Sequence, residues 1–108
     1  MTVREFAEKF GFATVVAADP ERTVSGCYIG DLLSWVMGRV QSGNVWITIM
    51  TNVNTVAVGS LADVSTVLLA EGVQLDKAVL DCAEARGVNV LSTPLSAYEA
   101  AVLIHGAI

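Results

Sequence analysis

The chain has 108 residues, 54% hydrophobic and 16% charged, which suffices for one core without metals or disulfides and is far from a disordered composition. Eleven acidic residues against six basic ones give a net charge of −5, which disfavours a nucleic acid as partner. The apolar runs are much shorter than the roughly 20 residues of a membrane-spanning helix, and the N-terminus lacks the apolar segment of a signal peptide. We therefore expect a single cytoplasmic domain over residues 1–108, with no membrane contact, whose apolar excess forms a core, or a core and a subunit interface.

The first third of the chain predicts a helix followed by two strands. Thr2 and Glu5 have the spacing of a capping box, and Gly11 is a typical helix stop. The β-branched residues 12–18 predict a strand. After a turn, residues 25–28 predict a second, short strand.

The second predicted helix carries a tryptophan on its polar side. It opens at Gly30-Asp31, with Asp31 as the predicted N-cap. Trp35 falls outside the apolar arc of this helix, next to Arg39. Because tryptophan is enriched where subunits meet, we predict that Trp35 and Arg39 belong to an interface. The apolar arc itself spans about 140° and should face the core; it comprises Leu32, Leu33, Val36, Met37 and Val40.

The remaining chain alternates strands and helices. Strands are predicted at residues 45–50, 64–70 and 88–91, and a helix at 75–86. A second capping box, Ser96 with Glu99, opens a last helix that runs through His105.

Residues 53–61 keep helical spacing, although 56–58 would also suit a short strand, and we favour the helix. The alternation predicts an α/β fold. It should have three layers, with a mostly parallel sheet of about five strands and helices on both faces.

The sequence offers little for catalysis, a metal or a cofactor. It contains neither a phosphate-binding glycine loop nor a nucleophile elbow, and Asp76, Asp81 and Glu84 share the solvated face of one predicted helix rather than forming a metal cluster. His105, the single histidine, is predicted to pack or to cap the last helix rather than to act as a base. Cys27 and Cys82 lack the spacing of a zinc or redox motif and are predicted to be buried free thiols. We therefore expect no enzyme activity, metal or cofactor.

Polar residues follow three of the predicted strands, where open α/β sheets bind their ligands. The helices that come next could add free backbone N–H donors for an anion. If the strands at 45–50 and 88–91 are parallel neighbours, Asn52 or Asn54 should share one crevice with Ser92 and Thr93. The alternative is that these are ordinary turn and cap residues. The candidate ligand-binding residues are Thr51, Asn52, Asn54, Glu71, Gly72, Ser92 and Thr93.

Four segments, residues 26–34, 45–49, 67–72 and 83–93, resemble the DRTGG domain family, and the resemblance extends over roughly residues 23–105. The family occurs as a module in phosphotransacetylases and CBS-domain pyrophosphatases and is similar to the N-terminal domain of HPr kinase/phosphorylase. Its members are regarded as regulatory, ligand-binding or dimerising. This chain most resembles the small stand-alone members, which are often encoded beside iron-hydrogenase and other redox-complex genes.

The chain departs from both parts of the family signature, the Gly-Asp-Arg part and the Thr-Gly-Gly part. The Gly-Asp-Arg of the family would fall near residues 51–53, where the charged pair is missing. In the His-x-Asn version of the stand-alone members, Asn52 takes the histidine place and Asn54 keeps the asparagine. The Thr-Gly-Gly would fall at residues 70–72, of which only Gly72 is glycine.

The resemblance implies a non-catalytic regulatory or sensory module that forms a homodimer and binds a small anionic ligand, such as a nucleotide. A second hypothesis is a protein-interaction adaptor that docks on a redox (hydrogenase-type) or signalling complex without a ligand. An enzyme related to HPr kinase is the least favoured hypothesis, because the phosphate-binding loop is missing.

Overall fold

The computed structural model describes all residues from Met1 to Ile108 and places one five-stranded sheet between two layers of helices. The strand order is β1-β5-β4-β3-β2, with β1 antiparallel to β5 and the other neighbours parallel. The predicted fold class is therefore confirmed. In chain order the elements are α1 (Val3–Phe10), β1 (Ala13–Val16), β2 (Cys27–Ile29), α2 (Leu33–Arg39), β3 (Val45–Thr48), α3 (Val53–Leu61), β4 (Thr66–Leu69), α4 (Lys77–Ala85), β5 (Val90–Ser92) and α5 (Ala97–Ile104).

Strands β3 and β4 lie inside the sheet and are buried on both faces, which is why their sequences are continuous rather than alternating apolar runs. One core lies between the sheet and the α1/α5 layer, and a second core lies between the sheet and the layer of α2, α3 and α4. Fully buried side chains of the first core include Phe6, Ile47, Leu68 and Leu91, and those of the second include Val36, Trp46, Val67 and Val90.

The topology differs from the expectation in one important respect. Strands β2 to β5 follow one another across the sheet, so β4 lies between β3 and β5. The condition for a shared crevice, that β3 and β5 are neighbours, is therefore not met. All three crossover helices contribute to the same core, so the strand order never reverses among the parallel strands. The crevice that open sheets form at a reversal of strand order is absent from this part of the fold.

Local signals predicted the helix ends well. Both capping boxes form, at Thr2 with Glu5 and at Ser96 with Glu99, and Gly11 ends α1 in the left-handed conformation, with φ 72°. The favoured helix at 53–61 is confirmed as α3. The strands are shorter than predicted, because the ends of each apolar run leave the hydrogen-bonded ladder.

Asp31 is not the N-cap of α2, contrary to the prediction. The helix begins one residue later, with Leu32 at the cap position and no side-chain hydrogen bond there. The Asp31 carboxylate instead accepts hydrogen bonds from the Thr48 hydroxyl at 2.8 Å and the Ile49 N–H at 3.0 Å. Asp31 therefore joins the ends of β2 and β3, and no local pattern indicates such a distant partner.

Three further expectations about burial need correction. In the apolar arc of α2 only Val36 and Val40 are buried, whereas Leu32 and Met37 are exposed. Cys27 is exposed and Cys82 is half-buried, because β2 is an edge strand and Cys82 lies at the margin of its core. Of the two roles predicted for His105, packing is not observed because the residue is exposed, whereas its C-cap position in α5 agrees with the capping alternative.

Polar contacts join the loops at the amino ends of the parallel strands. The Arg22 guanidinium donates to the Asp63 carboxylate at 2.7 Å and to the Asp63 carbonyl at 2.8 Å, and the Ser42 hydroxyl donates to the same carboxylate. These hydrogen bonds, the one from Arg22 first, lower the pKa of Asp63 to about 2. Asn89, buried in this region, bonds both the N–H and the carbonyl of Asp19.

The turn after β4 contains two successive left-handed residues, Glu71 with φ 60° and Gly72 with φ 68°. The first has a side chain, which the left-handed conformation disfavours by roughly 1–2 kcal/mol. Backbone hydrogen bonds hold the turn against the chain after β5, from the Glu71 N–H to the Leu95 carbonyl at 2.8 Å and from the Gly72 N–H to the Thr93 carbonyl at 3.0 Å.

The first prediction concerns acid stability. Because the pKa of Asp63 is lower in the folded chain than in the unfolded one, its contribution is complete above about pH 4 and is lost as the pH falls towards 2. The Asp63 side chain is 57% exposed. Solvent screening therefore limits the expected contribution to about 0.5–1 kcal/mol.

Asp63→Asn should flatten the decline in the free energy of unfolding between pH 4 and pH 2, measured by urea titration at each pH. Asparagine tolerates the left-handed φ of 61° at this position, so the variant isolates the charge. Arg22→Gln, which removes the main partner, should flatten the same profile. A decline as steep as that of the wild type in both variants would contradict this account.

The second prediction concerns the turn after β4. Glu71→Gly should raise the free energy of unfolding by about 0.5–1 kcal/mol, because relief of the left-handed strain exceeds the cost of the freer unfolded chain. Gly72→Ala is the matched control. A Cβ at Gly72 would meet nothing within 4 Å, so this change imposes conformational strain without a clash. It should lower the free energy of unfolding by about 1 kcal/mol. Destabilisation by Glu71→Gly in urea titrations would show that the Glu71 side chain has a stabilising role.

Candidate functional site

The polar residues after β3 form the cap of a helix. The Asn52 side-chain oxygen accepts a hydrogen bond from the Asn54 N–H at 2.9 Å, which makes Asn52 the N-cap of α3. The Thr55 hydroxyl donates to the Met50 carbonyl at 3.1 Å and tightens the same turn. Both asparagine side chains are exposed, and Thr51 is half-buried. Asn52 thus has the local role that the turn interpretation assigned to it.

The exits of β4 and β5 do come together. Glu71 and Gly72 contact the segment of Thr93 through the two backbone bonds described above. Thr93 is buried, and its hydroxyl oxygen accepts a hydrogen bond from the Leu95 N–H at 3.2 Å. The N–H groups of Glu71 and Gly72 are therefore already hydrogen-bonded within the protein. The turn holds the chain after β5 in place and offers a ligand no free N–H group at these two residues.

Ser92 borders a hollow of about 230 Å³, here called the Ser92 hollow, which opens at the carboxyl ends of β4 and β5. Its walls come from these two strands, from β1, from α4 and from the loop that connects β4 with α4. Most of the lining is apolar, and Gln74 and Ser92 supply the polar groups. The lining residues are Val15, Leu69, Val73, Gln74, Leu75, Leu80 and Ser92.

Asn54 lies elsewhere, on an open groove of about 400 Å³ between α2 and α3. Neighbouring strands are about 4.8 Å apart, so the intervening β4 separates the ends of β3 and β5 by roughly 10 Å. The expected common crevice for the asparagines and Ser92 is therefore wrong. The α2/α3 groove is lined by Leu33, Ser34, Met37, Asn54, Ala57, Val58 and Leu61.

Three of the four helix N-termini at this edge of the sheet already have a side-chain acceptor, whereas α2 has none. Asn52 caps α3, the Asp76 carboxylate caps α4 by accepting from the Val79 N–H at 3.0 Å, and Ser96 caps α5. In α5 the Glu99 carboxylate also accepts from the Ser96 N–H, and this bond lowers the pKa of Glu99. Free N–H donors for an anion, expected from the strand–helix pattern, are thus used in part by the protein's own side chains at α3, α4 and α5. Ligand recognition here would depend on the apolar walls of the Ser92 hollow and its two polar groups.

The predicted interface pair is present as a stacked pair on the surface of α2. The Arg39 guanidinium lies 4.3 Å from the centre of the Trp35 ring, and the Trp35 side chain is 57% exposed. Stacking of this kind holds a large apolar side chain in a defined position while it remains in solvent.

The sequence interpretation missed most of the hollow. Gln74 and Leu75 lie in the loop before α4 and Leu80 lies on α4, and the sequence placed none of them at a site, since residues 75–86 were predicted only as a helix. The only available signal was an apolar loop, residues 73–75, directly after a buried strand. Val15 on β1 closes the hollow. Because the sequence does not show that β1 lies there, the apolar loop alone does not predict a site.

Reactive groups are sparse. No group of three or more His, Cys, Asp or Glu side chains is placed to hold a metal ion, and no helix has both the length and the apolar character to cross a membrane. Although Cys27 is exposed as a residue, packing around its sulfur desolvates the thiol and raises its pKa to about 11. The thiol is therefore protonated at neutral pH and is a poor nucleophile.

Comparison with known proteins supports the resemblance drawn from the residues. The chain shares its fold with a crystal structure of the CBS and DRTGG domains of the regulatory region of Clostridium perfringens pyrophosphatase, complexed with the activator diadenosine tetraphosphate. The TM-score is 0.78 at 14% identity, and the match covers 95% of this chain and 45% of that one, so this chain spans about half of that structure. No curated protein sequence matches the chain. The model of the DRTGG domain family matches residues 11–107, and the chain therefore belongs to the DRTGG domain family.

Proposed function

We propose that this protein is a non-catalytic regulatory module that forms a homodimer and binds a small anionic ligand, such as a nucleotide, in the Ser92 hollow. The observation that carries the ligand proposal is the hollow itself, which combines apolar walls with two polar groups at the carboxyl ends of parallel strands. Membership of the DRTGG family supports a regulatory role, since a DRTGG domain occurs in the regulatory region of the pyrophosphatase that shares this fold.

The size of the hollow limits what it can hold. Pockets for drug-sized ligands measure about 300–1,000 Å³. A hollow of about 230 Å³ therefore suits a single ring system, with the rest of the ligand in solvent. Val73, Leu75 and Leu80 would contact the faces of the ring, and the Gln74 amide and Ser92 hydroxyl would bond its edge. A nucleotide has this division into a flat base and a solvated phosphate.

The charged part of the ligand would meet Lys77, at the start of α4 and three residues after Gln74. Its side chain is 87% exposed, and its ammonium group pairs with the Asp81 carboxylate at 2.9 Å. An exposed pair of this kind contributes little to stability, so a phosphate can replace the carboxylate at small cost. The chain's net charge of −5 opposes an anion, so attraction from Lys77 has to act at short range.

The non-catalytic part of the proposal is supported by the surroundings of the possible nucleophiles. The Ser92 hydroxyl has no basic side chain in the lining of its hollow, and the single histidine lies at the end of α5. Nucleophilic catalysis requires a nucleophile and a base within hydrogen-bonding distance.

A ligand-free adaptor that docks on a redox (hydrogenase-type) or signalling complex is the competing function. It is supported by exposed apolar side chains on and around α2, where Leu32 is 61% exposed and Trp35 is 57% exposed. The two functions differ in whether a small molecule stabilises the isolated protein.

The third prediction is a thermal shift by nucleotides. A ligand at a hundred times its dissociation constant should add about 2.7 kcal/mol to the free energy of unfolding. We expect AMP, ATP or diadenosine tetraphosphate to raise the melting temperature and adenosine to raise it less. Equal shifts for adenosine and AMP would show that the protein does not recognise the phosphate, which contradicts an anionic ligand. No shift with any of the four compounds would favour the adaptor function.

The shift should depend on the Ser92 hollow. Gln74→Ala removes one hydrogen bond of about 1 kcal/mol, so the dissociation constant should rise roughly fivefold. Gln41→Ala is the matched control, because Gln41 is also exposed but lies at the amino ends of the strands, away from the hollow. Equal effects of the two changes, measured by calorimetric titration, would exclude the hollow as the binding site.

The fourth prediction is the absence of turnover. Purified protein incubated with ATP or with a phosphorylated serine peptide should release no more phosphate than the buffer, because no nucleophile–base pair can be assembled. Phosphate release that Ser92→Ala abolishes would contradict the non-catalytic assignment.

A further inference from the structure

Strand β2 forms one edge of the sheet, and half of its backbone groups face away from the protein. The Gly26 carbonyl accepts from the Val45 N–H at 3.0 Å, and the Gly30 N–H donates to the Ile47 carbonyl at 3.2 Å. Backbone groups of alternate residues point to the same side of a strand. Those of Cys27 and Ile29 therefore point outwards, and the edge offers two N–H donors and two carbonyl acceptors.

This edge lacks the features that usually prevent strand pairing. Sheet edges are commonly protected by lysine, proline or a bulge. Residues 27–29 contain none of these, and Ile29 is 46% exposed. The opposite edge, β1, carries a register shift between Thr14 and Val16. The two edges are thus unequal, and β2 is the one with a regular ladder.

Helix α2 presents two different sides. At 100° per residue, Trp35 and Met37 lie about 160° apart around the helix axis. Met37 lines the groove against α3, so Trp35 and Arg39 lie on the side of α2 that faces away from α3. The helices α4, α3 and α2 cover the sheet in that order, from β5 towards β2. The stacked pair therefore projects beyond the β2 edge.

We propose that two copies of this chain pair through β2 in antiparallel orientation, about a two-fold axis at Tyr28, and that α2 packs on its counterpart through Trp35 and Arg39. This inference rests on the homodimer of the proposed function and assigns its surface. The two sheets become one sheet of ten strands.

The geometry of this pairing is self-consistent. With the axis at Tyr28, Cys27 lies opposite Ile29 of the second copy, and the four outward backbone groups of each copy find partners. Each α2 connects β2 with β3 and lies above the gap between them. The two α2 axes are then about 10 Å apart, which is an ordinary distance for packed helices.

Charge also favours this orientation. The two copies of α2 run antiparallel, so the Arg39 end of one helix lies beside the Asp31 end of the other. Asp31 and Arg39 are both exposed in the single chain, and Arg39 is the basic residue in the last turn of α2. Opposite charges and opposite helix ends therefore meet twice across the two-fold axis.

Sedimentation equilibrium at micromolar concentration tests the assembly. We expect a species of twice 11.3 kDa for the wild type. Ile29→Pro removes one outward N–H per copy and leaves the bonds to β3 intact, because the Ile29 N–H does not face β3. The dimer dissociation constant should rise at least tenfold. Trp35→Ala should raise it about 30-fold if Trp35 anchors the helix contact.

Ile29→Lys and Val15→Lys form a matched pair, since each replaces an exposed aliphatic residue on an edge strand. Only Ile29→Lys should weaken the dimer. Circular dichroism shows whether each variant is folded. If Ile29→Pro does not fold, Ile29→Lys still tests whether β2 forms the dimer interface.

A disulfide tests the register directly. In the proposed pairing the Cα atoms of Cys27 and residue 29 of the second copy are about 5.5 Å apart, within the range that a disulfide spans. Ile29→Cys should give a covalent dimer on a non-reducing gel after mild oxidation in alkaline buffer. The wild type and Val15→Cys should not, because the two Cys27 residues would be roughly 9 Å apart.

The outcomes separate this inference from the proposed function. A wild-type dimer that neither Ile29→Pro nor Ile29→Lys weakens, and that Ile29→Cys does not cross-link, overturns the β2 pairing and leaves the homodimer intact. A wild type of 11.3 kDa overturns both the pairing and the homodimer. The nucleotide thermal shift is read on either species and tests the ligand site alone.

Discussion

Burial of β3 and β4 on both faces is the constraint on which the rest of the structure depends. Trp46, Ile47, Leu68 and Leu69 are all essentially inaccessible to solvent, and they project to the two sides of the sheet. Each such side chain contributes about 1.5–3 kcal/mol only if it leaves water completely. Helices must therefore cover both faces. The Trp46 indole N–H also needs a partner, and its bond to the Gly30 carbonyl at 2.9 Å holds the end of β2.

The one-directional strand order then decides where surfaces remain open. Because β2 to β5 add in sequence across the sheet, the crossover helices all lie on one face, and the sheet ends in a bare strand at β2. At the other side β1 adds antiparallel to β5 and closes the Ser92 hollow through Val15. The same topology thus creates the candidate ligand hollow near one edge and the free strand at the other. In the proposed function, this layout would separate the ligand hollow from the surface of self-association.

The turn at residues 70–72 gives the family signature a physical meaning. Two successive left-handed residues are needed there so that their N–H groups reach the carbonyls of Leu95 and Thr93. Glycine adopts this conformation without strain, which would account for the two glycines of the family motif that falls at this segment. The motif therefore positions the loop that supports the hollow. Retention of only Gly72 introduces local strain and leaves the fold unchanged.

The sequence by itself determined the features that depend on near neighbours. Both capping boxes, the helix at α3 and the buried character of β3 and β4 follow from spacings of a few residues, and the structure has them. Only the tertiary structure decided which strands are adjacent and therefore which polar residues meet. Asp31 binds the end of β3, and Asn54 and Ser92 line different hollows. The physical reason is that a side chain's partners across a sheet depend on which strands are adjacent. The periodicity of apolar residues indicates which residues are buried but not which strands are adjacent.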